Sequence, residues 1–270
     1  MLISVIIPTY KPVDRYLDAC LSSLSRQTFN HSDFEIIIIL NGCNEPYYEM
    51  IKKTVSRYDD SITVRIVQTD TPGQSNARNI GLEMCDSEYV CFLDYDDYVS
   101  YYYLERLYSC ISPDCVVQSN VMAFDDRSER QLPDYIGRYF EKYQPGTRLS
   151  KMKGVHFLSN VATKLIPRSI IANQKFLHID VGEDALFITS ITNGIKEIVL
   201  SQADAVYYRR VHNTSVLHAK RSMSVWFKNR LQLTGLYLKT YFKDILHYNL
   251  LIFLHRIAAV WKGFFKSFFL

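Results

Sequence analysis

The sequence predicts an α/β fold, a mostly parallel central sheet flanked by helices, with a helical extension at the C-terminus. Two observations carry the prediction. The first hundred residues alternate short apolar runs with helix-spaced segments, and turn signals close the runs. From Met223 onward the pattern is helical to the end.

The elements follow in order. Ile3–Ile7 is an apolar run ended by Pro8, suited to a strand buried on both faces. Val13–Leu24 sets Val13, Leu17, Cys20, Leu21 and Leu24 at helical spacing. Phe34–Leu40 is a second buried strand, closed by Asn41-Gly42. Pro46–Tyr58 reads as a helix, Ile62–Gln68 as a strand, Gln74–Met84 as a helix and Tyr89–Leu93 as a fourth strand. Such alternation implies right-handed crossovers, with the functional loops at the carboxyl ends of the strands. Those loops are Pro8–Pro12, Leu40–Glu45, Thr69–Asn76 and Asp94–Ser100. Further on, Asp114–Phe124 reads as one strand, Lys164–Ile171 as a turn and helix, Glu183–Ile191 as a helix and Ala203–Tyr208 as a strand. The Tyr-rich stretch up to about residue 150 has no readable period.

Composition narrows the class. Of 270 residues, 48% are hydrophobic and 22% charged, which excludes disordered and fibrous chains. The net charge of +3 is unevenly spread. Residues 221–270 hold eight Lys or Arg against one acid, Asp244, a net +7 that leaves −4 on the first 220. A uniformly basic nucleic-acid binder does not look like this, and no nucleic-acid partner is expected. The six cysteines form no CxxC pair and no zinc-like spacing with histidine, so they read as reduced core thiols of a cytosolic protein. The N-terminus lacks a basic leader and a small-residue cleavage site, and no run of 18 apolar residues occurs.

The densest chemical feature is Phe92-Leu93-Asp94-Tyr95-Asp96-Asp97, three carboxylates just past a buried strand. Carboxylates this close repel and take up protons unless a cation neutralises them, and oxygen ligands suit Mg²⁺ or Mn²⁺. A solvated acidic turn capping the next helix fits the same spacing.

Three segments in order carry a resemblance: Ser4-Val5-Ile6-Ile7-Pro8-Thr9-Tyr10, then Gly73-Gln74-Ser75-Asn76-Ala77-Arg78-Asn79-Ile80-Gly81, then the acidic run. Together they resemble the family 2 inverting glycosyltransferases with a GT-A fold, over roughly residues 2–110. A looser match resembles the acceptor-side half of bacterial polysaccharide-building members. It runs through Lys164-Leu165-Ile166-Pro167-Arg168-Ser169, Gly182-Glu183-Asp184-Ala185-Leu186-Phe187 and Arg210-Val211-His212-Asn213-Thr214-Ser215.

The resemblance implies a role for each residue. Pro8, Thr9 and Tyr10 would hold the donor's nucleotide, with Gln74 and Arg78 alongside it. Asp94 and Asp96 match the metal-binding acids, with Tyr95 at the donor and Asp97 in support. Arg210 and His212 match a segment that folds toward the diphosphate, where His212 would complete the sphere of a Mn²⁺ or Mg²⁺ ion. Asp184 matches the base that deprotonates the acceptor hydroxyl, assisted by Glu183, and Lys164 would meet phosphate or acceptor. Glu183 and Asp184 also read as acids stabilised at a helix start, and both readings hold together.

One departure stands out. Where many members carry Asp-Asp or Asp-Asn before a Gly, this chain has Leu40-Asn41-Gly42. Leu40 cannot accept a hydrogen bond from a base, so that contact shifts to Asn41, the backbone or another group. Asn41 also reads as a plain turn residue.

The implied organisation is residues 1–120 as a nucleotide-sugar-binding half, 121–218 as the acceptor and base half of the same domain, and 219–270 as a basic aromatic helical extension. The implied activity moves a sugar from a nucleotide sugar, with uridine as the nucleoside, to a glycan or polyprenyl-linked oligosaccharide in bacterial surface polysaccharide assembly. Lys, Arg and aromatics interleave in the tail, the composition of a helix lying on anionic lipid at the inner face of the cell membrane. Packing of the same aromatics on the domain is the other reading of the tail, and the one expected for Met223 to Asn249. A non-catalytic scaffold in an envelope complex and a nucleotidyltransferase are alternatives. The latter is disfavoured because the loop after the first strand, Pro8-Thr9-Tyr10-Lys11-Pro12, has no Gly.

Overall fold

The structure is a computed structural model that describes residues 1–58, 60–212 and 223–269, the last seven as backbone alone. Its first third follows the predicted alternation. Strands β1 (Ile3–Thr9), β2 (Phe34–Asn41), β3 (Thr63–Thr69) and β4 (Tyr89–Phe92) are parallel, in the order β3-β2-β1-β4. Helices α1 (Asp14–Ser25), α2 (Tyr47–Val55) and α3 (Gln74–Met84) connect them. Every residue of β1 and β2 is buried, which explains why they read as continuous apolar runs rather than alternating ones. The helix-spaced Leu17, Cys20, Leu21 and Leu24 of α1 face the core. Helix α3 lies so close to β1 that a Cβ on Gly81 would collide with the Ile6 side chain.

The second half is built from shorter pieces: β5 (Tyr98–Val99), α4 (Tyr103–Tyr108), β6 (Cys115–Gln118), β7 (Asn120–Asp125), β8 (Gln131–Leu132) and α5 (Tyr135–Phe140). Then come β9 (Arg148–Ser150), β10 (Lys164–Pro167), α6 (Arg168–Ile171), α7 (Glu183–Ser190), β11 (Glu197–Leu200) and β12 (Val206–Val211). Among the described residues the main sheet has the order β3-β2-β1-β4-β10-β6-β11-β9. β10 runs antiparallel between β4 and β6, while β11 is parallel to β6. A second sheet, β5-β12-β7-β8, stands beside it.

Two expectations are corrected here. Asp114–Phe124 is not one strand. The chain breaks at Ser119, whose N–H donates to Thr163 O (2.9 Å), so β6 stays in the main sheet and β7 enters the second. The apolar run is continuous, so nothing in the sequence marks the change of sheet. Lys164–Ile171 does not open as a turn: Lys164–Pro167 is a central strand, and only Arg168–Ile171 is helical. Four residues are too few for either period to show.

The C-terminal pattern resolves into two helices, α8 (Met223–Lys243) and α9 (Leu250–Phe269), joined by a turn at 244–249. They form a hairpin: Trp226 and Phe227 meet Trp261, and Tyr241 meets Phe253. Leu233, Tyr237, Tyr241, Tyr248 and Phe253 bury against Leu186 of α7. The packing expected between Met223 and Asn249 is therefore present. It also reaches Ile252, Phe253 and Arg256, which are buried within the last 20 residues.

Candidate active site

The acidic run leaves the end of β4, where Leu93 N–H still bonds to Ile6 O of β1 (3.1 Å) and Asp97 N–H closes a turn on Asp94 O (3.1 Å). The turn sends the three carboxylates to different partners. Asp97 points inward, accepting from Tyr207 Oη (2.6 Å) and from the Arg210 N–H (2.7 Å). Burial and the neighbouring Asp96 and Asp94 charges hold its carboxyl well above the usual range. Asp96 Oδ2 lies 2.9 Å from His212 Nε2. Asp94 Oδ1 accepts from Gln74 Nε2 (3.2 Å) and stands 3.5 Å from Arg78 Nη2. Its side chain keeps 35% of its surface open, yet the surrounding protein pushes its carboxyl up to about 6. Arg78 pulls that value down, and Asp96 and Asp184 push it up.

Arg78 is the hub of the site. It rises from α3, whose start at Gly73 takes a φ of 127° that favours glycine. Asn41 fixes that start: its Oδ1 accepts from Gly73 N–H (2.8 Å) while its Nδ2 donates to Thr9 O (2.9 Å). One buried carboxamide thus clamps three of the loops expected to hold ligand. Arg78 itself is 2% exposed over the Phe176 ring, bonded to Asp184 Oδ1 through Nη1. Glu183 Oε1 lies 3.8 Å away. Burial pulls the Arg78 pKa down, but the Asp184, Asp94 and Glu183 charges outweigh it and raise the guanidinium above its ordinary value.

Glu183 and Asp184 open α7 after Gly182, which is left-handed at φ 83°. Asp184 Oδ2 accepts from Val161 N–H at a long 3.5 Å. Nearby, Lys164 is wholly buried on β10, donating from Nζ to Asn160 Oδ1 (2.8 Å) and Thr163 Oγ1 (3.4 Å). Burial drives its ammonium pKa well below 10.5, and the Asp184 charge only partly opposes this.

Arg210 lies against the acidic turn. Its Nε donates to Asp96 O (2.8 Å) and its Nη1 to Asp126 Oδ1 (2.7 Å), while its guanidinium lies over Tyr16 and Phe124. In this arrangement it braces the acidic turn from behind. Tyr16 and Asp126 were not singled out in the sequence. Tyr16 stacks on His212 (centroids 5.6 Å apart) and donates from Oη to Asp126 Oδ2 (2.6 Å). Asp126 lies in the stretch without a period, and Tyr16 sits on α1 like any core aromatic. Neither carried a signal.

The remaining residues sort by exposure. Pro8, Thr9 and Leu40 are buried at the ends of β1 and β2, so Leu40 belongs to the core. Tyr10 is 48% exposed, Gln74 is exposed and Tyr95 is half-buried. Asn213, Thr214 and Ser215 lie outside the described residues.

Asp96 Oδ2 and His212 Nε2 lie 2.9 Å apart, hydrogen-bonded to each other; released from that bond, the carboxylate oxygen would suit Mn²⁺ or Mg²⁺ and the imidazole nitrogen an ion softer than Mg²⁺. Among the described residues no group of three or more acidic, His or Cys side chains gathers to hold an ion. Asp94 Oδ1 is held by Gln74 and Arg78, so a cation at the pair would take its further ligands from elsewhere. Asp94 of the acidic turn and the α7 carboxylates Glu183 and Asp184 meet at one guanidinium, which sets a helix-borne carboxylate, Asp184, beside that turn.

A mostly parallel sheet with an acidic turn after its fourth strand and this carboxylate on a facing helix defines a GT-A-type glycosyltransferase. The chain belongs to glycosyl transferase family 2, whose family profile matches residues 4–170. It is 28% identical over 230 residues to an uncharacterized glycosyltransferase of Haemophilus influenzae, covering 84% of this chain and 86% of that one. It is also 28% identical over 212 residues to the poly(ribitol-phosphate) beta-glucosyltransferase of Bacillus spizizenii, covering 77% of this chain and 32% of that protein. The chain thus spans most of the first relative and about a third of the second. A structure of Staphylococcus aureus TarS 1–349 in complex with UDP-GlcNAc matches with a TM-score of 0.74 at 20% identity, covering 99% of this chain and 74% of that one. At that identity the likeness speaks for the fold.

Proposed function

We propose that this glycosyltransferase transfers a sugar from a UDP-sugar to a hydroxyl of a glycan or polyprenyl-linked oligosaccharide, with inversion, in bacterial surface polysaccharide assembly. The observation that carries the reading is Arg78, which joins Asp94 of the acidic turn to Asp184 of α7. A donor lying along β1, α3 and the acidic turn, near Tyr10, Gln74 and Asp94, would present its anomeric carbon toward α7. TarS, named as a poly(ribitol-phosphate) beta-N-acetylglucosaminyltransferase, binds UDP-GlcNAc on the same fold, which supports uridine as the nucleoside.

Asp184 is the base. Its Oδ1 is committed to Arg78, whereas among the described residues Oδ2 accepts a hydrogen bond only from Val161 N–H, at a long 3.5 Å, so Oδ2 is the oxygen placed to take a proton. The acceptor oxygen gives that proton to Oδ2 and bonds to the anomeric carbon. The bond from that carbon to the phosphate oxygen breaks, and its electron pair leaves with the nucleoside diphosphate. A divalent cation held by Asp96 and His212, with other ligands from the diphosphate, would supply Lewis-acid neutralisation of that leaving group. Glu183 orients the acceptor.

No helix among the described residues is long and apolar enough to cross a membrane. The +7 charge of residues 221–270 supports contact with an anionic lipid surface, the inner face of the cell membrane. The test is transfer by the Asp184→Asn protein. Turnover should fall by about 10²–10⁴-fold with UDP-sugar affinity retained, and the wild-type product should carry the inverted anomer by NMR coupling. Full turnover by the variant would remove Asp184 from the chemistry.

A further inference from the structure

The turn between α8 and α9 is a two-faced cap. On its inner side Tyr241, Tyr248, Ile252 and Phe253 are buried. Tyr248 Oη donates to Ser190 O (2.6 Å), and Asn193 Nδ2 donates to Asp244 Oδ2 (3.1 Å). The turn is therefore pinned to the C-terminal end of α7. On its outer side Phe242, Ile245, Leu246, Leu250, Leu251 and Leu254 stand in water, Leu246 at 89% exposure and Phe242 at 67%. Single exposed apolar residues need no explanation, but six within thirteen positions of a pinned turn do.

We propose that this tip, residues 242–254, is the element that enters the lipid surface, rather than the basic aromatic run at the chain's end. The proposal rests on the peripheral-membrane reading above and names its contact. Three features select lipid as the occupant. The patch is the end of a helical hairpin, made of side chains that each stand exposed. Exposed Lys239 and Lys243 rim it, within a segment of net charge +7, which complements anionic headgroups. A second copy docking tip to tip would bring two such segments together, and their like charges oppose that contact. Inside the protein, α7 links the tip to the chemistry. It runs about 9 Å from Asp184 to Ser190, where the tip is pinned. A lipid-borne acceptor would thus meet the base close to the surface that carries it.

The test is flotation of the full chain with phosphatidylcholine vesicles, with and without phosphatidylglycerol. Phe242→Asp with Leu246→Asp should lower the bound fraction by about tenfold or more. Because both side chains are exposed, the melting temperature and transfer to a water-soluble acceptor should not change. Lys262→Gln with Lys266→Gln should weaken binding less, and only to anionic vesicles. A gain-of-signal variant, Leu246→Trp, should show blue-shifted emission quenched by brominated lipid. Wild-type flotation matched by the Asp variant would overturn the tip and leave the membrane reading standing. A wild-type chain that stays unbound would overturn both. A dimer that the Asp variant converts to monomer would make the tip a contact between copies and overturn the lipid assignment.

Discussion

Arg78 is buried among Asp184, Glu183 and Asp94. Removing it leaves those carboxylates without the cation they share, a far larger loss than that of an exposed ion pair. Arg78→Met should lower unfolding free energy by about 3–5 kcal/mol in urea titrations. Adding Asp184→Asn should recover part of that loss, since the pair is coupled; purely additive losses would show that the two residues act independently. Arg78 was legible because its helix matched an ordered motif. Its partner across the cleft was named only as a base, because no sequence pattern states that residues 78 and 184 touch.

Elements differ in how far they could be read. β1 and β2 are central parallel strands whose runs are long enough to leave a signal, and α1 and α3 complete the pattern. β10 is four residues long, central and antiparallel, and its Lys164 breaks any apolar reading. That lysine makes a testable case. Its folded pKa is depressed by burial, so the folded state binds fewer protons than the unfolded state between that depressed value and 10.5. Wild-type stability therefore gains from this site as pH rises through that window. Lys164→Met has no such dependence, so its stability relative to wild type should be greatest near neutrality and shrink toward pH 10. Parallel melting curves across that range would check it, and a constant difference would place the lysine in a site that does not penalise its charge.

Across the whole molecule, the halves differ in kind. The N-terminal half is one run of parallel strands, and its fold and loops were readable from periodicity. The second half alternates between two sheets in strands of two to six residues, set by pairings distant in sequence such as β12 with β7 and β11 with β6. Such pairings leave no local trace, which is why the switch at Ser119 and the bracing role of Asp126 emerged only in three dimensions. The charge asymmetry was plain in the sequence, but which surface of the tail stays bare depended on how α8 and α9 pack on α7.

The proposed function places a UDP-sugar between the acidic turn and α7, where a divalent cation would neutralise its diphosphate. Its most direct test is the melting temperature of the full chain with a panel of nucleotides and nucleotide sugars, in Mn²⁺ and in EDTA. At roughly 100-fold excess over Kd, binding to the native state should raise Tm by about 5–10 °C. That rise is expected with UDP in Mn²⁺, a larger one with a single UDP-sugar, and loss of both in EDTA and in Asp96→Asn. A folded protein whose melting is indifferent to every nucleotide, or that responds equally in EDTA, would contradict it.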